Sequence, residues 1–261
     1  MKNGKPWALI TGASSGLGVD FAHELAVDGH NLVLVARRED RMRELAAELE
    51  ANHPIQTKVI ALDLSLTGIG TKLKQVLDND DIAIDVLINN AGFGVFGEFI
   101  KQPLAKTLNM VQLNVTSLTE LTQVFAVDMA QRGRGNILLV ASVVAYQASP
   151  NYAAYGASKA YVLSLGEALH EELKPYGVTV TVLSPGATAT EFFDVSGQKS
   201  TPMKRAFMMP SRLVVQIGLS AMRRGRASIV SGWKNALMTW STRLIPRILQ
   251  RKIAHRVLRD G

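Results

Sequence analysis

Short apolar runs recur along the chain, each followed by a turn and then by a stretch with helical spacing. Trp7-Ala-Leu-Ile-Thr11 reads as a buried strand, with a helix after it to about Val27. A second strand, Asn31 to Val35, closes a βαβ unit of the expected size, roughly 30 residues. Asp40 to Asn52 predicts a helix with Met42, Leu45, Ala46 and Leu49 on one face. Further strands are expected at Thr57 to Leu62, Ile84 to Ile88, Gly135 to Ala141 and Gly177 to Leu183. Between them fall a short helix, a long one near Lys106 to Arg132 interrupted at Asn114, and one running to about Lys174, closed by Pro175-Tyr-Gly177. Continuous apolar strands alternating with amphipathic helices predict an α/β fold, a doubly wound parallel sheet in a three-layer αβα arrangement.

Composition narrows this further. At 261 residues, 47% hydrophobic and 20% charged, the chain suits one large core in one globular domain, placed at residues 1–236. The absence of cysteine removes disulfide and thiolate chemistry. Five histidines, at 23, 30, 53, 170 and 255, show no ligand spacing, so no metal is expected. The apolar run Trp7 to Ile10 is too brief for a secretory segment, and Ile137 to Tyr146 is too short for a bilayer span of about 20 residues. A cytoplasmic protein is expected.

Charge is unevenly placed within the net +7. Residues 203–261 hold 13 of the 29 Lys and Arg against one of the 22 acids, a net of +12 that leaves −5 on the rest. From Leu237 on, Trp240, Leu244, Ile245, Ile248, Leu249, Ile253 and Val257 fall near helical spacing, with Arg243, Arg247, Arg251, Lys252, Arg256 and Arg259 largely around the other side and Pro246 splitting or starting a helix. This basic amphipathic extension, residues 237–261, either packs on the domain or a second subunit, or lies peripherally on an anionic membrane. No nucleic-acid motif accompanies the charge, and nucleic acid is not an expected partner.

The candidate chemistry centres on Tyr155-Gly-Ala-Ser-Lys159. Residues four apart on a helix share a face, so an ammonium sits beside a phenol. A charge about 5 Å away at an effective dielectric of about 20 favours the phenolate by roughly 3 kcal/mol, which predicts a tyrosine exchanging protons near neutral pH. A lone pair of this spacing is more often an amphipathic Tyr and a solvated Lys, so the rest of the chain must decide. Gly12-Ala-Ser-Ser-Gly16-Leu-Gly18, between strand and helix, suits a phosphate, with Gly12, Ser14, Ser15, Gly16, Leu17 and Gly18 as candidate contacts. After the second strand stands Ala36-Arg37-Arg38 with no carboxylate before Glu39, which predicts NADP(H), with Arg37 as main 2′-phosphate ligand and Arg38 as the weaker one. Asp63-Leu64 either meets adenine or caps a helix. Asn89-Asn90-Ala91-Gly92 and Pro185-Gly186-Ala-Thr188 end later strands, where Asn90, Pro185, Gly186 and Thr188 either hold cofactor or satisfy loop backbone. Residues about 187–210 mix Phe and Met with Gly and Pro, either a lid over an apolar substrate or a loop on the protein's own core.

Taken in order, Thr11-Gly12-x-x-x-Gly16-x-Gly18, Asn89-Asn90-Ala91-Gly92, Asn114, Ser142, Tyr155-x-x-x-Lys159 and Pro185-Gly186 resemble the short-chain dehydrogenase/reductase family over residues 6–190 and the following helix and strand. The resemblance implies a Rossmann-like sheet of seven strands in order 3-2-1-4-5-6-7. It also implies a catalytic set in which Tyr155 exchanges a proton with a substrate oxygen, Ser142 hydrogen-bonds that oxygen, Lys159 binds ribose and tunes Tyr155, and Asn114 holds a relay water. Tyr155 and Lys159 would touch the cofactor as well. Ala141 and Ala145 depart from residues frequent in the family, and the basic C-terminus departs more. An NADPH-dependent carbonyl reductase or alcohol dehydrogenase is expected, a dimer or tetramer acting on an apolar small molecule such as a ketoacyl, steroid-like or xenobiotic compound. The alternative is a non-catalytic NADP(H)-binding regulatory or scaffold protein.

Overall fold

A computed structural model describes residues 4–188, 196 and 208–259, the last three as backbone. Seven parallel strands form one sheet in the order 3-2-1-4-5-6-7: β1 (Trp7–Thr11), β2 (Asn31–Ala36), β3 (Thr57–Ala61), β4 (Ile84–Asn89), β5 (Gly135–Val140), β6 (Val178–Ser184) and β7 (Ser228–Val230). The sequence expectation for the first six strands holds to within two residues at each end.

Each central strand is apolar on both faces because both are covered. Alternate residues therefore serve opposite cores: Ala8, Ile10, Leu32 and Leu34 join one, and Leu9, Val33, Val35 and Leu87 the other. The first core is roofed by α1 (Leu17–Val27), α2 (Glu39–Asn52) and α7 (Ser211–Arg223). The second is roofed by α3 (Ile69–Asn79), α5 (Leu118–Arg132) and α6 (Ala153–Leu173). On α2 the buried residues are Met42, Leu45, Ala46 and Leu49, the stripe expected from the sequence.

The long helix breaks where Asn114 predicted. It consists of α4 (Leu104–Val111), a π-helical turn (Gln112–Ser117) and α5. The wider π turn carries one extra residue per turn, which swings Asn114 inward to full burial. Beyond β7, α8 (Trp233–Ser241) starts a few residues before the expected extension, and α9 (Arg247–Arg259) begins straight after Pro246. Most of the expected lid, residues 189–195 and 197–207, lies outside the described residues.

Candidate active site

Strand ends and helix starts meet along the carboxyl edge of the sheet and line a cleft of about 720 Å³. That size lies within the range of ligand pockets, about 300–1,000 Å³. The cleft has two halves, a glycine-rich turn and a buried tyrosine–lysine pair.

The glycine half is shaped by backbone contact. Gly12 has φ of +69°, and a Cβ on Gly18 would lie 2.1 Å from the Gly12 carbonyl oxygen. Only hydrogens at these positions let the turn fold back onto α1. No side chain caps the N-terminus of α1, and Ser14, Ser15, Gly16 and Leu17 border the cleft, so the positive end of the helix dipole lies beside that space. These features fit the pyrophosphate of a dinucleotide.

At the end of β2, Arg37 and Arg38 both border the cleft. Arg38 is the better fixed of the two: its Nε donates to Ser14 Oγ at 3.2 Å and its Nη2 to the Ser14 carbonyl at 3.4 Å. Arg38 is thus held on the glycine loop, while Arg37 acts electrostatically on Asp63, another residue of the cleft wall. Asp63 does not cap α3, whose first residue is Ile69. Its Oδ1 instead accepts from the Ser65 N–H at 3.0 Å and the Ser65 hydroxyl at 2.7 Å, and the backbone bond holds its carboxyl below the usual range. Asp63 and the buried Leu64 still line the cleft.

Thr11, the strand end that opens the glycine motif, links β1 to the turn after β4. Its Oγ1 accepts from the N–H groups of Asn90 and Ala91, each at 2.9 Å. Asn90 returns a bond from Nδ2 to the Thr11 carbonyl, also 2.9 Å, so its amide serves loop backbone while bordering the cleft. Asn89 points the other way, donating to the Leu118 carbonyl and to Thr122. Pro185, Gly186 and Thr188 form the far wall, where Thr188 Oγ1 donates to the Gly186 carbonyl at 3.0 Å.

All four expected catalytic residues converge. The Ser142 hydroxyl is a hydrogen-bond partner of the Tyr155 side chain. Lys159 is 4% exposed; its Nζ donates to the Val140 carbonyl at 2.8 Å and lies 5.9 Å from the Tyr155 ring centroid. Asn114 Oδ1 accepts from the Phe93 N–H at 3.2 Å, while its Nδ2 donates to the Phe93 carbonyl at 3.0 Å and to Ser158 Oγ at 3.1 Å. Ser158 passes the connection on by donating to the Tyr155 carbonyl at 2.7 Å. This middle link was missed in the sequence, although Ser158 stands directly before Lys159. A Cβ at Gly92 would lie 2.8 Å from Asn114 Oδ1 and 3.4 Å from Lys159 Nζ, so a glycine there keeps the space between them open.

The electrostatics correct one expectation. Burial pushes the Tyr155 phenol well above its ordinary pKa, offset only in part by the bond from Ser142, and the neighbouring Tyr152 raises it further. Burial also pushes Lys159 down to about 8. The assumed lowering of the tyrosine supposed a solvated cation close by. Here the ammonium is itself desolvated and aimed at a carbonyl, so loss of solvation outweighs attraction for both groups.

Beside this cluster lies an aromatic wall absent from the sequence reading. The Tyr152 and Tyr155 rings stand 5.4 Å apart, Phe96 is 5.0 Å from Tyr152, and Phe93 and Val144 pack against them. The three-residue spacing of Tyr152 and Tyr155 was a usable signal, since it puts both on one helix face. Among the described residues, no group of three or more His, Cys, Asp or Glu is arranged to hold a metal. No helix among them is long and apolar enough to cross a membrane.

Comparison with known proteins agrees with the geometry. The family model for short chain dehydrogenase matches residues 6–201. A very-long-chain 3-oxoacyl-CoA reductase of Pyricularia oryzae is 37% identical over 240 residues, covering 90% of this chain and 71% of that protein. Mouse 17-beta-hydroxysteroid dehydrogenase type 3 is 31% identical over 214 residues, covering 81% of this chain and 70% of that protein. A solved short-chain dehydrogenase from Sphingobium yanoikuyae in complex with NADPH superposes with a TM-score of 0.81 at 33% identity, covering 92% of this chain and 94% of that one. The chain therefore belongs to the short-chain dehydrogenase family of oxidoreductases.

Proposed function

We propose that this enzyme uses NADP(H) to reduce the carbonyl of a large apolar substrate, and to oxidise the corresponding alcohol in reverse. The observation that carries the reading is the Ser142–Tyr155–Lys159 cluster, set into the wall of the cleft that the glycine loop enters. A bound nicotinamide supplies or accepts the hydride. The chain's own residues handle the oxygen and the proton. Ser142 and Tyr155 present two hydroxyls to one substrate oxygen, and Tyr155 releases its proton as negative charge develops there. The raised pKa of Tyr155 suits the reductive direction, because the phenol remains protonated at neutral pH.

Lys159, still largely protonated at pH 7 with a pKa of about 8, stabilises the phenolate left behind. Asn114 holds the Phe93 backbone and Ser158 in place, and the open space at Gly92 gives a relay water a position between Asn114 and Lys159. Arg37 and Arg38 together would bind the 2′-phosphate that distinguishes NADP(H). Phe93, Val144 and Tyr152 give the substrate end an apolar lining. That lining fits a ketoacyl or steroid-like compound, the classes named for the two relatives. A homo-oligomer remains part of this reading, with the exposed Phe99, Ile100, Leu104 and Leu108 as apolar area for a second subunit.

The test is NADPH oxidation with 3-oxoacyl-CoA and bulky ketone substrates. Tyr155→Phe should lower turnover by about 10²- to 10⁴-fold, the usual worth of a positioned acid, with cofactor binding intact. Unchanged turnover in that variant would overturn the acid assignment. A wild type that binds NADPH but reduces nothing would favour the regulatory alternative.

A further inference from the structure

On α8 the apolar stripe faces outward. Trp233, Leu237 and Trp240 stand at the i, i+4 and i+7 spacing of a core-facing helix, yet they are 73%, 57% and 54% exposed. Leu244 in the following link is 70% exposed, and Ile248, Leu249 and Ile253 continue the exposed surface along α9. The inward side of α8 is held by small and polar groups: Thr239 is buried, and Asn235 Nδ2 donates to the Ser231 carbonyl at 2.8 Å. The helix is thus anchored without using its tryptophans. Around the apolar side chains stand Arg243, Arg247, Arg251, Lys252 and Arg256, all exposed, and the sequence from 203 to 259 contains no acid to pair with them.

We propose that the α8–α9 face docks on the surface of an anionic phospholipid bilayer. Trp233, Leu237 and Trp240 enter the headgroup region, and the arginines meet lipid phosphates. Exposed apolar area of this extent marks an interaction surface, and tryptophans interleaved with cations are the side chains that suit a water–lipid boundary.

Charge complementarity selects this occupant. A second copy joined tail to tail by a two-fold axis would bring together two segments, residues 233–259, each with seven Lys and Arg and no acid, whereas an anionic lipid sheet offers the opposite sign over any area. The surface also adjoins the cleft. Gly186, on the cleft wall, sits so close to α8 that a Cβ there would lie 2.2 Å from Asn235 Nδ2. Docking therefore holds the cleft about one helix diameter, roughly 10 Å, from the lipid. The inference concerns this surface alone and does not depend on the reaction proposed above.

The full chain should co-sediment with phosphatidylcholine–phosphatidylglycerol vesicles at low salt, with a blue shift in tryptophan emission. Binding should weaken by about tenfold or more on pure phosphatidylcholine and at high salt. A Trp233→Ser/Trp240→Ser double variant and, separately, a Lys252→Glu/Arg256→Glu variant should each lose binding to a similar degree, with thermal unfolding unchanged. Absence of co-sedimentation at low salt overturns the proposal, as does undiminished binding by the charge-reversed variant. If the tryptophan variant instead turns a dimer into a monomer by light scattering while the wild type ignores vesicles, the face belongs to a second copy and the lipid assignment falls.

Discussion

The tyrosine–lysine site and the C-terminal helices invert the usual arrangement of a globular protein in opposite directions. At the site, a lysine and an asparagine are buried, at 4% and 0% exposure, while on α8 two tryptophans stand in water. Both depart from the rule that charge goes out and aromatic area goes in. The site can do so because its polar atoms find partners: Lys159 has a carbonyl, and Asn114 has the Phe93 backbone and Ser158. The tryptophans are left 73% and 54% exposed, with the Lys234 ammonium 5.7 Å from the Trp233 ring centroid, so their cost falls on solvation rather than on unmet hydrogen bonds. A buried polar group with partners is a device for chemistry, and an exposed apolar stripe is a device for contact.

Substitutions separate the two kinds of inversion, and the largest effect is expected in the ordinary core that lies between them. Phe125→Ala, at a position 1% exposed on the α5 face of the sheet, should cost about 3–5 kcal/mol in urea unfolding. Trp240→Ser should do almost nothing by the same measure, and a cost above about 1 kcal/mol would mean that α8 is packed against something the comparison treats as solvent.

Lys159 sharpens the contrast through pH. Its folded pKa, about 8, lies below the ordinary 10.5, so between these values the unfolded chain holds more protons than the folded one. Its contribution to stability therefore rises as pH increases from about 8 towards 10.5, and the buried charge is most costly below pH 8. Wild type should gain about 2–3 kcal/mol over Lys159→Met across that window. Equal pH profiles in urea denaturation would place the ammonium in solvent.

Asn114→Ala follows at about 1–3 kcal/mol, because it leaves the Phe93 N–H and carbonyl without side-chain partners. Turnover should fall further than stability alone explains, since Asn114 reaches Tyr155 through Ser158. A loss of stability with full specific activity would reduce Asn114 to a purely structural clamp.

The sheet was legible because its strands are short apolar runs between glycine or polar turns, and in a doubly covered parallel sheet that pattern admits few alternatives. The interruption at Asn114 could be read for a related reason, since a mid-helix residue with an inward-turning amide marks a departure from regular α geometry. The bond from Arg38 to Ser14 was not legible, because identical neighbours can be told apart only by the direction in which the backbone leaves β2. Of the two roles open to Asp63, the helix cap is excluded by a turn closed on Ser65, a contact between neighbours two residues apart that the pattern of apolar positions does not encode. The aromatic wall of Phe93, Phe96 and Tyr152 was also missed, since its members come from segments far apart in the chain.

By itself the sequence determined the order of strands and helices, the glycine turn, the placing of Tyr155 one turn from Lys159, and the separation of a basic end from a mildly acidic body. These depend on neighbours a few residues apart, where spacing and backbone sterics decide. Only the tertiary structure decided the protonation balance of the site and the side of α8 that meets solvent. Solvation is set by everything packed around a group, so a lysine read as lowering the pKa of its tyrosine became a desolvated neighbour of a raised one, and a stripe spaced for a core was left facing water.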